Sequence, residues 1–117
     1  MEKNIYKIAT QDQWDEATAK GVFNGAPIDL ADGFIHFSTA TQVRETAAKH
    51  FAGQADLLLL TVNATALGDA LKYEPSRGGA LFPHLYADLY LEAVVAVTKL
   101  PLTSEGRHQF PEHLADA

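Results

Sequence analysis

The apolar run LLLLTVN at residues 57–63 constrains the fold more than any other feature of the sequence. It has the length of a β-strand and falls far short of the roughly twenty residues that a transmembrane helix needs. Strands that are apolar at nearly every position are buried on both faces, as in the centre of a sheet. The run therefore predicts a central, buried strand.

Two helices are predicted from their start signals. Thr10 followed by Gln13, and Thr39 followed by Gln42, have the spacing of a capping box. In that motif a hydroxyl and an amide satisfy the free N–H groups at a helix start. Glycines at positions 21 and 53 are expected to end these two helices.

The remaining elements are predicted to be short. Strands are expected at 5–9, 34–37, 71–74 and 89–100, and loops at 22–33 and 75–83, where Gly and Pro collect. Helices near the start followed mostly by strands are typical of an α+β fold. We expect one domain at 1–102 and a polar, partly disordered C-terminal tail at 103–117. The expected core includes Trp14, Ile35, Phe37, Val43, Leu58, Leu60 and Val95.

Charge and cysteine content exclude several function classes. The 117 residues carry a net charge of −6 with both signs interspersed, and no basic stripe is present that would attract nucleic acid. The absence of cysteine excludes a disulfide scaffold, a thiolate zinc site and a cysteine nucleophile. The start MEKNIYKI resembles no signal peptide. We therefore expect a soluble, cytoplasmic protein, monomeric or weakly dimeric, that binds neither nucleic acid nor membranes.

The segment DGFIHFSTATQV, at residues 32–43, supplies the first candidate site residues. In a strand, Ile35 and Phe37 point to one face, and His36 and Ser38 point to the other. If the first pair enters the core, the second pair lies where strand becomes helix, and free N–H groups there favour anions. Ser38 and Thr39 are candidate ligand contacts. The alternative is that either hydroxyl only caps the helix and His36 lies on a solvated face.

The segment KYEPSRGGALFPHLYADLYL, at residues 72–91, supplies the second set. Glu74 and His84 are candidate catalytic residues, and Arg77 and Tyr86 are candidate ligand contacts. The alternatives are a buried structural His84 and an ion pair between Glu74 and Arg77 that only braces the loop. His36, His84 and Glu74 could also form a two-histidine, one-carboxylate metal site, but their spacing is not diagnostic and no metal is expected.

At GFIHFSTATQV and LFPHLY the chain resembles the bacterial family known as domain of unknown function 952. The resemblance covers nearly the whole chain and includes IYKI, KHFAG, DLLLLTV and KYEPS. It implies a fold related to the ADP-ribosyltransferase superfamily, with a compact, split, mixed or antiparallel β-sheet core and two main helices. Because such proteins bind NAD in a cleft, the resemblance also implies NAD as a candidate substrate, while no cofactor is firmly implied.

The chain departs from the pattern of those transferases at two positions. Their first strand commonly offers a His or Arg to the ribose, and Lys7 occupies that position here. The position of their catalytic Glu falls near His84 in this chain and does not hold a Glu. An imidazole offers no fixed negative charge to a cationic transition state. Two functions remain open. One is an enzyme on a nucleotide-like or phosphorylated molecule that uses His36 and His84 as acid and base. The other is a non-catalytic, ligand-binding or regulatory module.

Overall fold

The strand predicted at 57–63 lies at the centre of the main sheet of the computed structural model, which describes residues 3–111 and 114. The strands, in chain order, are β1 Asn4–Thr10, β2 Val22–Phe23, β3 Ile35–His36, β4 Leu57–Asn63, β5 Leu71–Pro75, β6 Leu81–Leu85, β7 Leu89–Tyr90 and β8 Val94–Lys99. The helices are α1 Gln11–Lys20, α2 Pro27–Asp32 and α3 Val43–His50, and three short 3₁₀ segments cover Ala64–Ala70, Arg77–Gly79 and Leu91–Ala93.

Strand β4 is buried on both faces, as the apolar run predicts. It pairs with β1 on one side and with β8 on the other. Leu58, Leu60 and Val62 pack into one hydrophobic cluster, together with Ile35 and Phe37. The neighbouring side chains of Leu57 and Leu59 point into a second cluster, which contains Val43. The sheet therefore has a core on each face, and this explains why β4 shows no alternation.

Two smaller sheets complete an α+β fold with a split β-structure. One joins β2 to β7, and the other has the order β3-β6-β5. Every pair of strands in the described residues is antiparallel, so the mixed sheet allowed by the prediction is not formed there. Tyr6 and Ser38 exchange two backbone hydrogen bonds of 2.8 Å. This bridge fastens β1 to the chain just after β3 and brings the edges of two sheets together.

Helix α1 follows its predicted signals, whereas α3 starts later than expected. The Gln13 N–H donates to Thr10 Oγ1 over 3.0 Å, and the Thr10 N–H donates to Gln13 Oε1 over 2.9 Å. At α3 only half of the corresponding motif forms, where the Thr39 N–H donates to Gln42 Oε1 over 3.0 Å. Residues 40–42 therefore form a turn, and the helix begins at Val43. None of the described helices has the length and apolar composition to cross a bilayer.

The prediction of a loop at 22–33 is wrong, because this segment contains β2 and α2. Helix α2 begins at Pro27, whose ring fits the first helical position. The Asp29 carboxylate accepts a hydrogen bond of 2.7 Å from the Ala26 N–H and so caps the helix start. Gly33 ends the helix at φ 86°, a left-handed conformation that suits glycine. Pro27 therefore begins a short helix and Gly33 caps its end, and these two residue types do not mark a loop here.

Three further predictions require correction. The segment 89–100 is not one strand, since Leu91–Ala93 separates β7 from β8. Val95 lies outside the core and is 57% exposed, because β8 is an edge strand with a register shift opposite Thr61 and Val62. Trp14 is only partly buried against the first cluster. The loop expected at 75–83 is also shorter, because strand pairing continues to residue 75 and resumes at 81.

The described part of the C-terminal segment packs against the domain. Leu102 and His108 form an isolated antiparallel bridge. Leu114 is buried in the second cluster with Val43, and Arg44 donates a hydrogen bond to the Leu114 carbonyl. Two apolar residues of this segment, Leu114 and Phe110, pack against the second cluster, and the partial disorder expected after residue 102 stays a prediction.

Candidate functional site

Strands β3 and β6 place two histidine rings beside each other. His36 and His84 are directly opposite in the antiparallel register, and their ring centroids are 5.5 Å apart. The alternation predicted for β3 is confirmed, since Ile35 and Phe37 are buried in the core and His36 projects from the other face at 31% side-chain exposure. Phe34 shares that face, and its ring stacks on His84 at 4.2 Å.

His84 is held by a carboxylate on the neighbouring strand. Its Nδ1 lies 2.8 Å from Glu74 Oε1, and the Tyr86 hydroxyl donates to the same oxygen over 2.7 Å. Hydrogen bonds from Tyr86 and His84 lower the pKa of Glu74 below its usual value, and the bond to Glu74 raises the pKa of Tyr86. Glu74 therefore carries a negative charge at neutral pH and fixes the orientation of the buried imidazole of His84.

His36 is held by two carboxylates from α2. Its Nδ1 lies 2.6 Å from Asp29 Oδ1, and its Nε2 lies 3.0 Å from Asp32 Oδ2. The backbone N–H of His36 also donates to Asp29 Oδ1 over 3.1 Å. Asp29 is 1% exposed, whereas Asp32 is 44% exposed. Both ring nitrogens of His36 are thus engaged within the protein.

Asp29 also neutralises a buried lysine. Lys7 Nζ lies 2.8 Å from Asp29 Oδ2 and 3.1 Å from Oδ1, and only 7% of its side chain is exposed. Burial lowers the pKa of Lys7, although Asp29 opposes that change. Burial would raise the pKa of Asp29, but the hydrogen bond from His36 and the charge of Lys7 lower it from 3.8 to about 2. One carboxylate therefore joins β1, α2 and β3.

Sequence reasoning missed Asp29 and Asp32 and gave Lys7 no partner. A signal for Lys7 was available, because it is the single charge inside the apolar strand IYKIA. A buried ammonium group needs a carboxylate nearby. Nothing in the spacing indicates that Asp29 supplies it, since the two residues are 22 positions apart and meet only through the tertiary fold.

A cavity of about 580 Å³ opens beside the two histidines. Its wall is formed by β1, α1, the start of α2, β3, α3, the β5–β6 connection and β6. The ionisable side chains in that wall are Tyr6, Lys7, His36, His50 and His84, and no described carboxylate lines it. Asp29 and Glu74 lie behind the residues that they hold. The hydroxyl-bearing lining residues include Ser38, Thr46 and Ser76, and the apolar ones include Ile28, Phe51 and Phe82.

The structure brings together some of the predicted site residues and separates others. Ser38 lines the cavity, is buried and lies 2.9 Å from Thr46 through their hydroxyl oxygens. Thr39 pairs with Thr41 over 3.2 Å and does not belong to the cavity wall. Tyr86 is 44% exposed, donates to Glu74 and does not belong to the cavity wall. The side chain of Arg77 lies outside the described part of the structure. No three His, Asp or Glu side chains in the described residues are grouped to hold a metal ion.

The chain belongs to the family described as protein of unknown function (DUF952), whose model matches residues 8–97. Its fold is similar to the X-ray crystal structure of protein CC0527 from Caulobacter crescentus, with 53% sequence identity and a TM-score of 0.91 over 96% of this chain and 98% of that one. The solution NMR structure of CC0527 is 51% identical and superposes with a TM-score of 0.87 over 99% and 100% of the two chains. No curated protein matches the chain.

Proposed function

We propose that the protein is an enzyme that acts on an anionic small molecule, phosphorylated or nucleotide-like, with His84 as the general acid or base. One observation carries this proposal. His84 lines the cavity of about 580 Å³ while its Nδ1 is fixed by Glu74 from behind. A volume of that size lies within the range of small-molecule sites in proteins.

The Glu74–His84 pair has the arrangement that proton transfer requires. A carboxylate at Nδ1 selects the neutral tautomer with its proton on that nitrogen, so Nε2 is left as the acceptor. No hydrogen bond from a described residue reaches Nε2 of His84. An imidazole oriented in this way by a third group is the usual base of nucleophilic and hydrolytic sites. Glu74 would act through His84, because it does not line the cavity.

The cavity wall favours an anion that also carries a flat, apolar group. The Lys7 ammonium supplies positive charge to the wall, and the hydroxyls of Ser38 and Ser76 can donate hydrogen bonds. The side chains of Ile28, Phe51 and Phe82 offer apolar surface within the same cavity. NAD and ADP-ribose combine both features, and the resemblance to ADP-ribosyltransferases suggests them as the first molecules to test.

ADP-ribosyl transfer by the usual mechanism is the less favoured activity. That chemistry needs a carboxylate facing a sugar cation, and Glu74 faces His84 instead. The relation to ADP-ribosyltransferases stays a prediction from the sequence motifs. The antiparallel, split β-structure with a cavity between sheets supports a shared architecture, whereas the position of Glu74 supports acid–base chemistry.

The second candidate is a binding module without catalysis. This candidate is favoured by the contacts of His36, because each of its two ring nitrogens is bound by a carboxylate. Only one of the two facing imidazoles then has a nitrogen available to a ligand. A protein that only binds an anion needs no second acid or base.

Turnover and binding measurements separate these candidates. Purified protein would be incubated with NAD, ADP-ribose and sugar phosphates, with products followed by chromatography and binding by calorimetry. His84→Gln should abolish turnover while binding and the melting temperature stay near the wild-type values. His108→Gln is the matched control, because His108 contacts the Gln54 carbonyl and is not part of the cavity wall. Binding without turnover by the wild-type protein would favour the module, and neither binding nor turnover would refute both functions for these molecules.

A further inference from the structure

The two facing histidines differ in what their ring nitrogens contact. His84 meets one carboxylate, Glu74, at Nδ1. His36 meets Asp29 at Nδ1 over 2.6 Å and Asp32 at Nε2 over 3.0 Å. The rings are otherwise closely matched, since they are opposite in register and both contact Phe34. Because of this difference, the two imidazoles are expected to carry different numbers of protons.

An ionised carboxylate can only accept hydrogen bonds. A neutral imidazole carries one proton and can satisfy one carboxylate, whereas an imidazolium donates from both nitrogens. Asp29 is ionised at neutral pH, because its pKa is about 2. The charged and titratable groups around His36 are these two carboxylates from α2, His84 from β6 and the Lys7 ammonium from β1, which binds the same oxygen of Asp29. Two acceptors directly on the ring nitrogens favour protons on both of them.

We propose that Asp29 and Asp32 are positioning residues that hold His36 as an imidazolium donating from both ring nitrogens. His36 is then a fixed positive charge beside His84, and it does not transfer protons to a ligand. This assignment replaces the expectation that His36 and His84 act together as acid and base. The inference rests on the proposed function in one respect, because it leaves His84 as the one residue of the pair that transfers protons.

The fixed charge has two consequences at the site. It places a positive charge beside His84, since the two ring centroids are 5.5 Å apart. It also attracts the negative charge of a bound phosphate or carboxylate group. The other charged or titratable groups around His84 are Glu74 and Lys72 on β5 and Tyr86 beyond β6. Among these neighbours His36 is the one that lines the cavity together with His84.

The proposal is tested by counting protons on the ring nitrogens. Two-dimensional NMR spectra that correlate imidazole nitrogen and carbon-bound protons distinguish protonated from bare nitrogens for each histidine. In ligand-free wild-type protein at neutral pH, we expect two protonated nitrogens on His36 and one, Nδ1, on His84. Asp32→Asn removes the negative charge at Nε2 and leaves a neutral amide, whose oxygen is a weaker acceptor than a carboxylate, so His36 should then lose one of its two ring protons.

The choice of variants keeps the experiment decisive. Asp32 is partly exposed, so Asp32→Asn should fold even if replacement of the buried Asp29 prevents folding. Asp15→Asn on α1 is the control, because Asp15 is exposed, bonds to Gln11 and should leave His36 unchanged. One bare nitrogen on wild-type His36 would overturn the proposal, and two protonated nitrogens in Asp32→Asn would overturn the role of Asp32.

Failure of this inference and failure of the proposed function give different results. The spectra need no ligand, so a doubly protonated His36 in a protein that neither binds nor turns over any tested molecule would leave the inference standing and remove the function. Turnover lost in His84→Gln, together with a singly protonated His36, would support the function and remove the inference.

Discussion

Replacing Asp29 by asparagine tests how much the buried carboxylate contributes to stability and over which pH range. The pKa of Asp29 in the folded protein is about 2, against an ordinary value of 3.8. Because the folded value is the lower one, the contribution is present above about pH 4 and is lost as the pH falls through about 2. The difference corresponds to about 2 kcal/mol of unfolding free energy at neutral pH. About half of it should be lost by about pH 3.

Removal of the carboxylate also leaves the Lys7 ammonium buried without its ionic partner. Breaking a buried pair in this way costs about 3–5 kcal/mol. Unfolding by urea, followed through the fluorescence of the single tryptophan, would be measured between about pH 7 and pH 2. The difference between wild type and Asp29→Asn should be at least about 3 kcal/mol at neutral pH and should shrink by about 2 kcal/mol between about pH 5 and pH 2. A pH-independent difference would refute the linkage, and a cost below about 1 kcal/mol at neutral pH would refute the buried ion pair.

Four further substitutions test the packing of the sheet, the cap of α1 and the backbone at Gly25, with urea unfolding as the common measurement. Leu59→Ala empties a fully buried position in β4 and should cost about 3 kcal/mol, whereas Val97→Ala on the exposed edge strand should change stability by less than about 1 kcal/mol. Equal costs would contradict the central position of β4. Thr10→Ala removes the side-chain cap of α1 and should cost about 1 kcal/mol, and no loss would show that the cap is dispensable. Gly25→Ala should destabilise because φ is 121° and a new Cβ would lie 2.9 Å from the Asp29 Cβ, so a neutral result would contradict this close approach.

The sequence predicts well those parts of the fold whose signals are local. The burial of β4 follows from its own composition, and the limits of α1 follow from Thr10 and Gly21 at its ends. Helix α2 was missed because six residues between a proline and a glycine resemble a loop, and its start is stabilised by the side chain of Asp29 rather than by an N-cap side chain. The exposure of Val95 was missed because a register shift between β4 and β8 cannot be deduced from strand propensity.

The candidate site was predictable only in those parts whose signals are local in the sequence. Alternation along β3 places His36 opposite Ile35 and Phe37, and this orientation is confirmed. The pairing of His36 with His84 depends on the register between β3 and β6, which are far apart in the chain. The predicted ligand contacts Thr39 and Tyr86 do not line the cavity, because the turn before α3 and the end of β6 direct them elsewhere. Their roles as ligand contacts stay predictions.

Asp29 links the stability of the fold to the geometry of the site. A lysine inside the first strand must find a counter-charge, and Asp29 provides it from α2. The same carboxylate oxygen that accepts from Lys7 Nζ also binds Nδ1 of His36, so the contact that neutralises the lysine also orients the imidazole. Substitutions of Asp29 therefore disturb both properties at once. Asp32 contacts the imidazole of His36, makes no described contact with Lys7 and is partly exposed. Asp32→Asn should therefore change the number of protons on the His36 ring while the urea midpoint stays near that of the wild type. That combination separates the role of α2 in the site from its role in the fold.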